Sequence, residues 1–398
     1  MLFMNATRQG LTPALVMLMS VATGLCVASN YYVQPLLNTI AQQFDLSVSL
    51  AGFIVTTAQL GYACGLLLLV PLGDRFERRS LIVTMILLAA TGMVIIALSH
   101  TFLFLLLGTV MTGLFSVAAQ ILVPLAATLA EPERRGKIVG TVMSGLLLGI
   151  LLARTVAGGL AQLGGWRTVY WTASLLMVIM ALALWRSLPR VKQSVPMSYP
   201  QLLASIFRLY AGNRVIRTRA WTGCLSFANF SLLWTSMAFL LSGAPYHFSE
   251  GKIGLLGLVG AAGALAARQA GSLADKGKAK LTTRLGLLLM LLSWAAIAWG
   301  AEQLVPLIVG ILLLDLAVQA VHITNQSVIY AQMPEARNRL NAGYMTSYFI
   351  GGAAGSLLSA TAYHLAGWYG VCIAGALLTL VNLLIWAGGS RFEPEKIN

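Results

Sequence analysis

Apolar runs of about 20 residues, each long enough to cross a hydrocarbon layer roughly 30 Å thick, follow one another through almost all of this chain. About twelve can be placed, near 13–36, 50–73, 80–99, 102–130, 137–163, 168–187, 220–242, 252–273, 281–300, 303–330, 340–366 and 368–389. They leave no room for a sizeable water-soluble domain among the 398 residues. Only 10% of residues are charged, against about 25% in soluble domains, and no soluble interior could hide the 58% that are apolar. The runs are continuous, without the roughly ten-residue alternation of barrel strands, so helices are expected. The first run follows Arg8, is too long for a signal-peptide core and has no evident small-residue cleavage site, so it is expected to be an uncleaved first span.

A net charge of +14 could suit nucleic acid, so its placement decides its meaning. It sorts by loop. Arg8, Arg75, Arg78, Arg79, Arg134, Arg135, Lys137, the run from Arg186 to Arg219, Lys276, Lys278, Lys280, Arg284, Arg337, Arg339, Arg391 and Lys396 fall at alternate loops or at the termini. Arg167 and Lys252 lie on the other side, while Arg154 and Arg268 fall within spans. The positive-inside rule then puts both termini in the cytoplasm, which requires an even number of spans. The expectation is a multi-pass protein of a bacterial-type inner (plasma) membrane, its basic face against anionic lipid and no nucleic acid as partner.

Cys26, Cys64, Cys224 and Cys372 sit in or beside the spans with no CxxC, and His100, His247, His322 and His364 are scattered. Neither a disulfide framework nor a metal site is expected. There is no HExxH, no GxSxG and no GxxxxGK[ST] phosphate loop. A membrane-embedded enzyme and direct ATP drive are therefore disfavoured, and no cofactor is expected.

Shifting the second half by about 202 residues lays it on the first: Pro132 and Glu133 fall on Pro334 and Glu335, Arg135 on Arg337, Met143 on Met345, Gly149 on Gly351, and Gly165-Trp166 on Gly367-Trp368. A shift of 201 lays Leu72-Gly73-Asp74-Arg75 on Leu273-Ala274-Asp275-Lys276. A duplicated six-helix unit explains this, and such repeats build two bundles that rock about a central path. The expected division is 1–187, a linker over 188–219, and 220–398. In the linker, Leu202, Leu203, Ile206, Phe207 and Tyr210 recur at helical spacing beside Arg208, which reads as an amphipathic helix on the cytoplasmic surface, with a disordered tether as the alternative.

The loop after span 2, Val70-Pro71-Leu72-Gly73-Asp74-Arg75-Phe76-Glu77-Arg78-Arg79, resembles the signature G-x-L-x-D-R-x-G-R-R of the major facilitator superfamily, with Val70 and Glu77 replacing two glycines. The equivalent loop after span 8, Gly271-Ser272-Leu273-Ala274-Asp275-Lys276-Gly277, keeps the first and has Gly277 one place before the second. Span 5, with Gly145, Gly149, Ala157-Gly158-Gly159 and Gly165-Trp166-Arg167, is similar to the fifth helix of the drug:proton antiporter branch. That branch's Gly-Pro step is missing, and Thr109 stands where it often has an arginine in helix 4. The resemblance implies an all-α integral membrane protein of twelve transmembrane helices in two pseudo-symmetric six-helix bundles, working as a monomer.

It also implies a gate, in which Asp74 and Asp275, with Arg75, Arg78 and Lys276 nearby, pair with cations across the bundle interface. For Arg78 and Arg79 a solvated loop charge is the favoured reading. Gly61 with Gly65, Gly145 with Gly149 and Gly351 with Gly355 fall in helices 2, 5 and 11, which face the opposite bundle in this superfamily. They read as sliding surfaces, and close packing within one bundle is the alternative.

Asp315, near the middle of span 10, is the one acidic residue away from loops, helix ends and tails. An ionised group at that depth is costly unless paired or hydrated, which makes it a candidate proton carrier. Gln319, His322 and Gln326 follow on the same helix face. His322 reads either as a proton relay or as a satisfied interior histidine. Arg154 in span 5 is expected at a similar depth, and an ion pair with Asp315 that breaks when a proton or substrate arrives is the sharpest expectation. Further polar stripes are Thr112, Ser116 and Gln120 in span 4, and Asn30 and Gln34 beside Tyr31 in span 1, where Pro35 can bend the helix. Helices 1, 4, 7 and 10 line the cavity in this superfamily, which adds Asn229 and Trp234; Tyr344 and Tyr348 on span 11 complete the candidate set.

Aromatic rings with a few amides suit a moderately polar organic molecule. The expected function is secondary transport of such a molecule by alternating access, with proton-coupled export (antiport) ahead of proton-coupled uptake (symport). A non-transporting sensor would usually carry a soluble output domain, for which there is no room.

Overall fold

The computed structural model describes residues 11–131, 134–192, 197–266, 278–333 and 336–392. The described residues are almost entirely helical, without strands. Span 1 is Pro13–Ala28, continued after a break by the turn Gln34–Leu36 and the helix Leu37–Gln43. Span 2 is Val48–Leu68 and span 3 Arg78–Leu98; span 4 runs through Phe102–Phe115 and Ala119–Leu129. Span 5 is Arg135–Gly164 and span 6 Trp166–Ser187. After the linker helix Tyr199–Gly212 come span 7 (Arg214–Ser242), span 8 (Glu250–Ala266), span 9 (Ala279–Trp299) and span 10 (Leu304–Gln332). The last element, Arg337–Gly389, departs from helical geometry at Ala366 and Gly367, which divides it into spans 11 and 12. Nine of the described elements are long and apolar enough to cross a membrane, that divided one among them; Pro13–Ala28 is a shorter apolar helix. The chain is thus an all-α membrane protein.

Local chemistry sets where the rods begin. Thr12, Ser47 and Thr101 cap spans 1, 2 and 4 by accepting bonds from backbone N–H groups three residues on. Glu77 caps span 3, its carboxylate accepting from the backbone N–H groups of Arg79 and Ser80. Two of the turns are duplicated. Gly165 (φ 81°) and Gly367 (φ 60°), the glycines matched in the sequence repeat, each adopt a positive φ where one span hands over to the next, a conformation that costs a side-chain-bearing residue energy.

The glycine pairs pack inside bundles, which corrects their reading as sliding surfaces. A Cβ on Gly61 or Gly65 would strike span 4 at Val110 and Leu114. Gly145 and Gly149 lie against Ser20 and Gly24 of span 1, and Gly351 and Gly355 against Cys224 and Ala228 of span 7. The last two contacts are pseudo-symmetric copies. Between helices that gain nothing from burying apolar surface, this close approach supplies the association.

The two halves meet by other residues. On the face away from the linker, Thr39 of span 1 donates to Glu250 of span 8. Nearby, Thr155 Oγ1 donates to the Gly254 carbonyl (2.9 Å), and a Cβ on Gly52 would overlap Ala360. On the linker face a cleft opens between Asp74 and Gln120 of the first half, Leu202 and Ile206 of the linker helix, and Arg339 and Asn341 of the second. The linker helix is ordered and seated on both halves: Tyr199 Oη donates to the Leu68 carbonyl and Tyr210 Oη to the Leu340 carbonyl, both at 2.6 Å. Phe207, read as part of its apolar face, is 61% exposed.

Of the basic residues read as loop charges, Arg78 and Arg219 are buried and Arg79 is half-buried. Arg78 is 3% exposed; its Nε donates to the Gly73 carbonyl, and it pairs with Asp74 at 3.5 Å. Arg79 lies over the Trp185 ring, 4.5 Å from its centroid. Arg219, placed with the linker charges, belongs to span 7, which begins at Arg214, and is fully buried. It donates to Thr283 Oγ1 (2.6 Å) and Asn325 Oδ1 (3.0 Å).

Candidate functional site

The site is built where two spans lose helical continuity. Span 1 breaks over Ser29–Val33 and span 4 over Ser116–Ala118, and Ser29 Oγ and Ser116 Oγ join the breaks at 2.6 Å. The break turns Tyr31 and Gln34 toward the second half. Gln34 Oε1 accepts from Arg154 Nε of span 5 at 2.6 Å. Arg154, 2% exposed, is ringed by aromatic faces, its guanidinium 4.1 Å from the Trp234 centroid, 5.0 Å from Tyr31 and 5.1 Å from Phe230. Such contacts are worth about 2 kcal/mol when desolvated, which offsets part of the cost of burying the cation.

Trp234 also reaches the other way, its Nε1–H donating to Asp315 Oδ1 at 3.3 Å. Asp315 is 4% exposed. Arg154 and Asp315 make no ion pair within 4 Å among the described residues, which corrects the expected direct bridge: in this state the Trp234 indole touches both. Span 8 fixes their common depth. Gly257 lies against the Arg154 side chain, and Gly260, one turn along, leaves the space that the Asp315 carboxylate occupies.

From this centre an aromatic column runs toward the linker face. Phe230 stacks on Phe227 (5.2 Å) and Phe227 on Tyr348 (4.1 Å), with His322 4.5 Å further on. His322 Nδ1 bonds Tyr344 Oη at 3.0 Å, and Asn325 Nδ2 donates to the same oxygen at 3.4 Å. Gln319, His322 and Gln326 are half-buried; Gln326 Nε2 contacts the Met345 sulfur. Gln120, also half-buried, donates to Tyr62 Oη at 3.4 Å.

Several buried polar atoms have no hydrogen-bond partner among the described residues: both amide atoms of Asn30 and of Gln59, Gln34 Nε2, Arg154 Nη2, Ser231 Oγ and Thr235 Oγ1. Buried polar groups are nearly always satisfied in folded proteins. Unspent groups near the junction of the halves mark where a polar ligand or water can bind.

Not every candidate faces this junction. Asn229 turns into the second half, where its Oδ1 accepts from Trp294 Nε1 and Thr379 Oγ1 and its Nδ2 donates to the Leu225 carbonyl. Thr112 packs on Gly92 of span 3, and Ser116 is spent on Ser29 and the Thr112 carbonyl. Asp74 pairs with Arg78 of its own half, although Arg339 of the other half lines the same cleft. Arg75 is exposed, while Asp275 and Lys276 lie outside the described residues. The sequence reading missed Phe227, Phe230, Gln59 and the span 8 glycines. Gly251, Gly254, Gly257, Gly260 and Gly263 recur every three residues, a legible ridge that meets span 5 and then span 10.

Comparison with known proteins agrees with this architecture. The transporter YgaY of Escherichia coli O157:H7 is 67% identical over 97% of this chain and 98% of its own. The probable transporter SCO4007 of Streptomyces coelicolor is 33% identical over 91% and 85%. A bacterial homolog of the human lysosomal transporter Spinster, solved in an inward-facing and occupied conformation, superposes with a TM-score of 0.79 at 16% identity, covering 96% of this chain and 98% of that one. The family model described as Major Facilitator Superfamily matches residues 19–302 and 220–397, and with transporters as its relatives this chain, a transporter and not an enzyme, belongs to the Major Facilitator Superfamily.

Proposed function

We propose that the protein couples the movement of a small organic molecule to that of a proton, by alternating access about the Arg154–Trp234–Asp315 centre, with Asp315 as the proton carrier. The observation that carries this reading is a buried carboxylate between bundles that accepts, among the described residues, from the Trp234 indole and faces an arginine of the other half. Opposite unit charges roughly 4–8 Å apart attract by about 2–4 kcal/mol at an effective dielectric near 20. Adding a proton to Asp315 removes that attraction and loosens one half from the other.

The state described is closed on the face away from the linker, by Thr39, Glu250, Thr155 and Gly254. With the linker in the cytoplasm, the cleft and the half-buried Gln120, His322 and Gln326 face the cell interior. His322 is then the next proton acceptor along the aromatic column, with the Tyr344 hydroxyl on its Nδ1 as a relay, and Arg339 beside Asp74 is the cross-bundle gate cation.

Export by antiport draws on the antiporter-like glycines of span 5. Uptake by symport draws on the site itself, since a proton on Asp315 changes what Arg154 can hold, and it is the better supported direction. The test is flux into proteoliposomes holding an internal pH dye, screened against sugars, amino-acid-like compounds, organic acids and cationic drugs. Substrate added outside is expected to acidify the lumen. Alkalinisation would reverse the direction, and flux with no proton movement in any condition would remove the coupling.

A further inference from the structure

We propose that Arg154 and Gln34 form a carboxylate subsite and that the transported molecule is a small organic monocarboxylate with an apolar or aromatic body, an inference that rests on the junction of the halves being the transport site. The chemistry is in which atoms are spent. Arg154 uses its Nε on Gln34 Oε1, so the pair's one acceptor oxygen is already engaged. What is unspent are donors: Arg154 Nη2 and Gln34 Nε2, both buried and without a partner among the described residues. A sugar hydroxyl needs acceptors as well as donors, and an ammonium finds a buried cation; a carboxylate accepts from two donors at once.

The walls narrow the class further. Tyr31, Phe230 and Trp234 close around the guanidinium, surfaces that suit a flat or aliphatic body and offer a strongly hydrated inorganic anion nothing in exchange for its water. Charge balance sets the order of events. While Asp315 is ionised it competes with the ligand for Arg154; once protonated it leaves the cation to the ligand carboxylate, so anion and proton bind together. The groups packed on Asp315 are Trp234 of span 7, which donates to it, and Gly260 of span 8.

The test is equilibrium binding to the purified full-length chain in detergent, followed by calorimetry and tryptophan fluorescence. The probes are benzoate, 3-phenylpropionate and hexanoate, each beside its primary amide and the corresponding amine. At least one carboxylate is expected to bind tenfold or more tightly than its amide and amine. Gln34→Glu places a carboxylate of the protein's own beside Arg154; it is expected to keep the melting temperature and to weaken carboxylate binding at least tenfold. Arg154→Lys keeps the charge and loses the fork, with a loss of similar size. An amide or amine that binds as well as its acid, no binding by any of the three acids, or unchanged binding in Gln34→Glu overturns the subsite. Proton-coupled flux of a non-acid would leave the transport reading standing and sink this one, whereas acid binding without a dye response would do the reverse.

Discussion

Arg154 and Arg219 are both arginines buried inside a membrane protein, yet their surroundings differ in kind. Arg219 lies within the second half and donates to Thr283 and Asn325, neutral oxygens held by spans 9 and 10. Arg154 lies between halves, with one hydrogen bond, three aromatic rings and an unpartnered Nη2 among the described residues. A cation whose described partners belong to one bundle keeps them when the bundles move. One whose partners come from both sides must exchange them, which is why the proposal rests on Arg154 and not on Arg219.

The largest expected effect is on function. Arg154→Gln is expected to lower transport on the order of 100-fold, the scale of losing one partner from a buried charge network, with the melting temperature moved by no more than a few degrees. A collapse of stability would put Arg154 in the same class as Arg219. Arg219→Met is expected to show the opposite profile, destabilising by about 1–3 kcal/mol because Thr283 and Asn325 lose their donor, with transport per folded molecule within about twofold of wild type. Thermal melts and flux normalised to folded protein separate the two.

The glycines extend the same contrast. Gly149→Val, inside the first bundle against Gly24, is expected to cost about 1–3 kcal/mol of stability through overpacking. Gly158→Val, on the seam against Glu250 and Gly254, is expected to spare stability and instead favour opening of the face away from the linker. Labelling of a cysteine at position 39 by a membrane-impermeant maleimide reads that opening. The smallest effect is expected of Thr39→Val, which removes the bond to Glu250 and weakens that seal by about 0.5–1.5 kcal/mol, seen as a modest rise in labelling at the neighbouring Gln42→Cys.

Hydropathy made the spans legible because it reports depth along the membrane normal. The repeat matched Gly165-Trp166 with Gly367-Trp368, and in the structure both glycines are turns with positive φ. Depth also singled out Asp315 and Arg154. What sequence does not carry is rotation about each helix axis, which packing decides. Asn229 therefore read as cavity-lining and proves to face Trp294 and Thr379, and the glycine pairs read as facing the other bundle and prove to face their own. Arg78 and Arg219 were misplaced for a related reason: charge counting assigns an arginine to water at a span's end, whereas a carbonyl, a hydroxyl and an amide were waiting there. The three-residue glycine ridge of span 8 was visible and unread, since a search for four-residue spacing passes over it.

The claim on which the rest depends is that Asp315 carries the proton while the molecule is carried elsewhere in the same centre. Asp315→Asn in proteoliposomes, assayed both for counterflow exchange of substrate and for accumulation driven by an imposed pH gradient, addresses it directly. The account predicts counterflow retained and gradient-driven accumulation lost; accumulation at the wild-type level would contradict it.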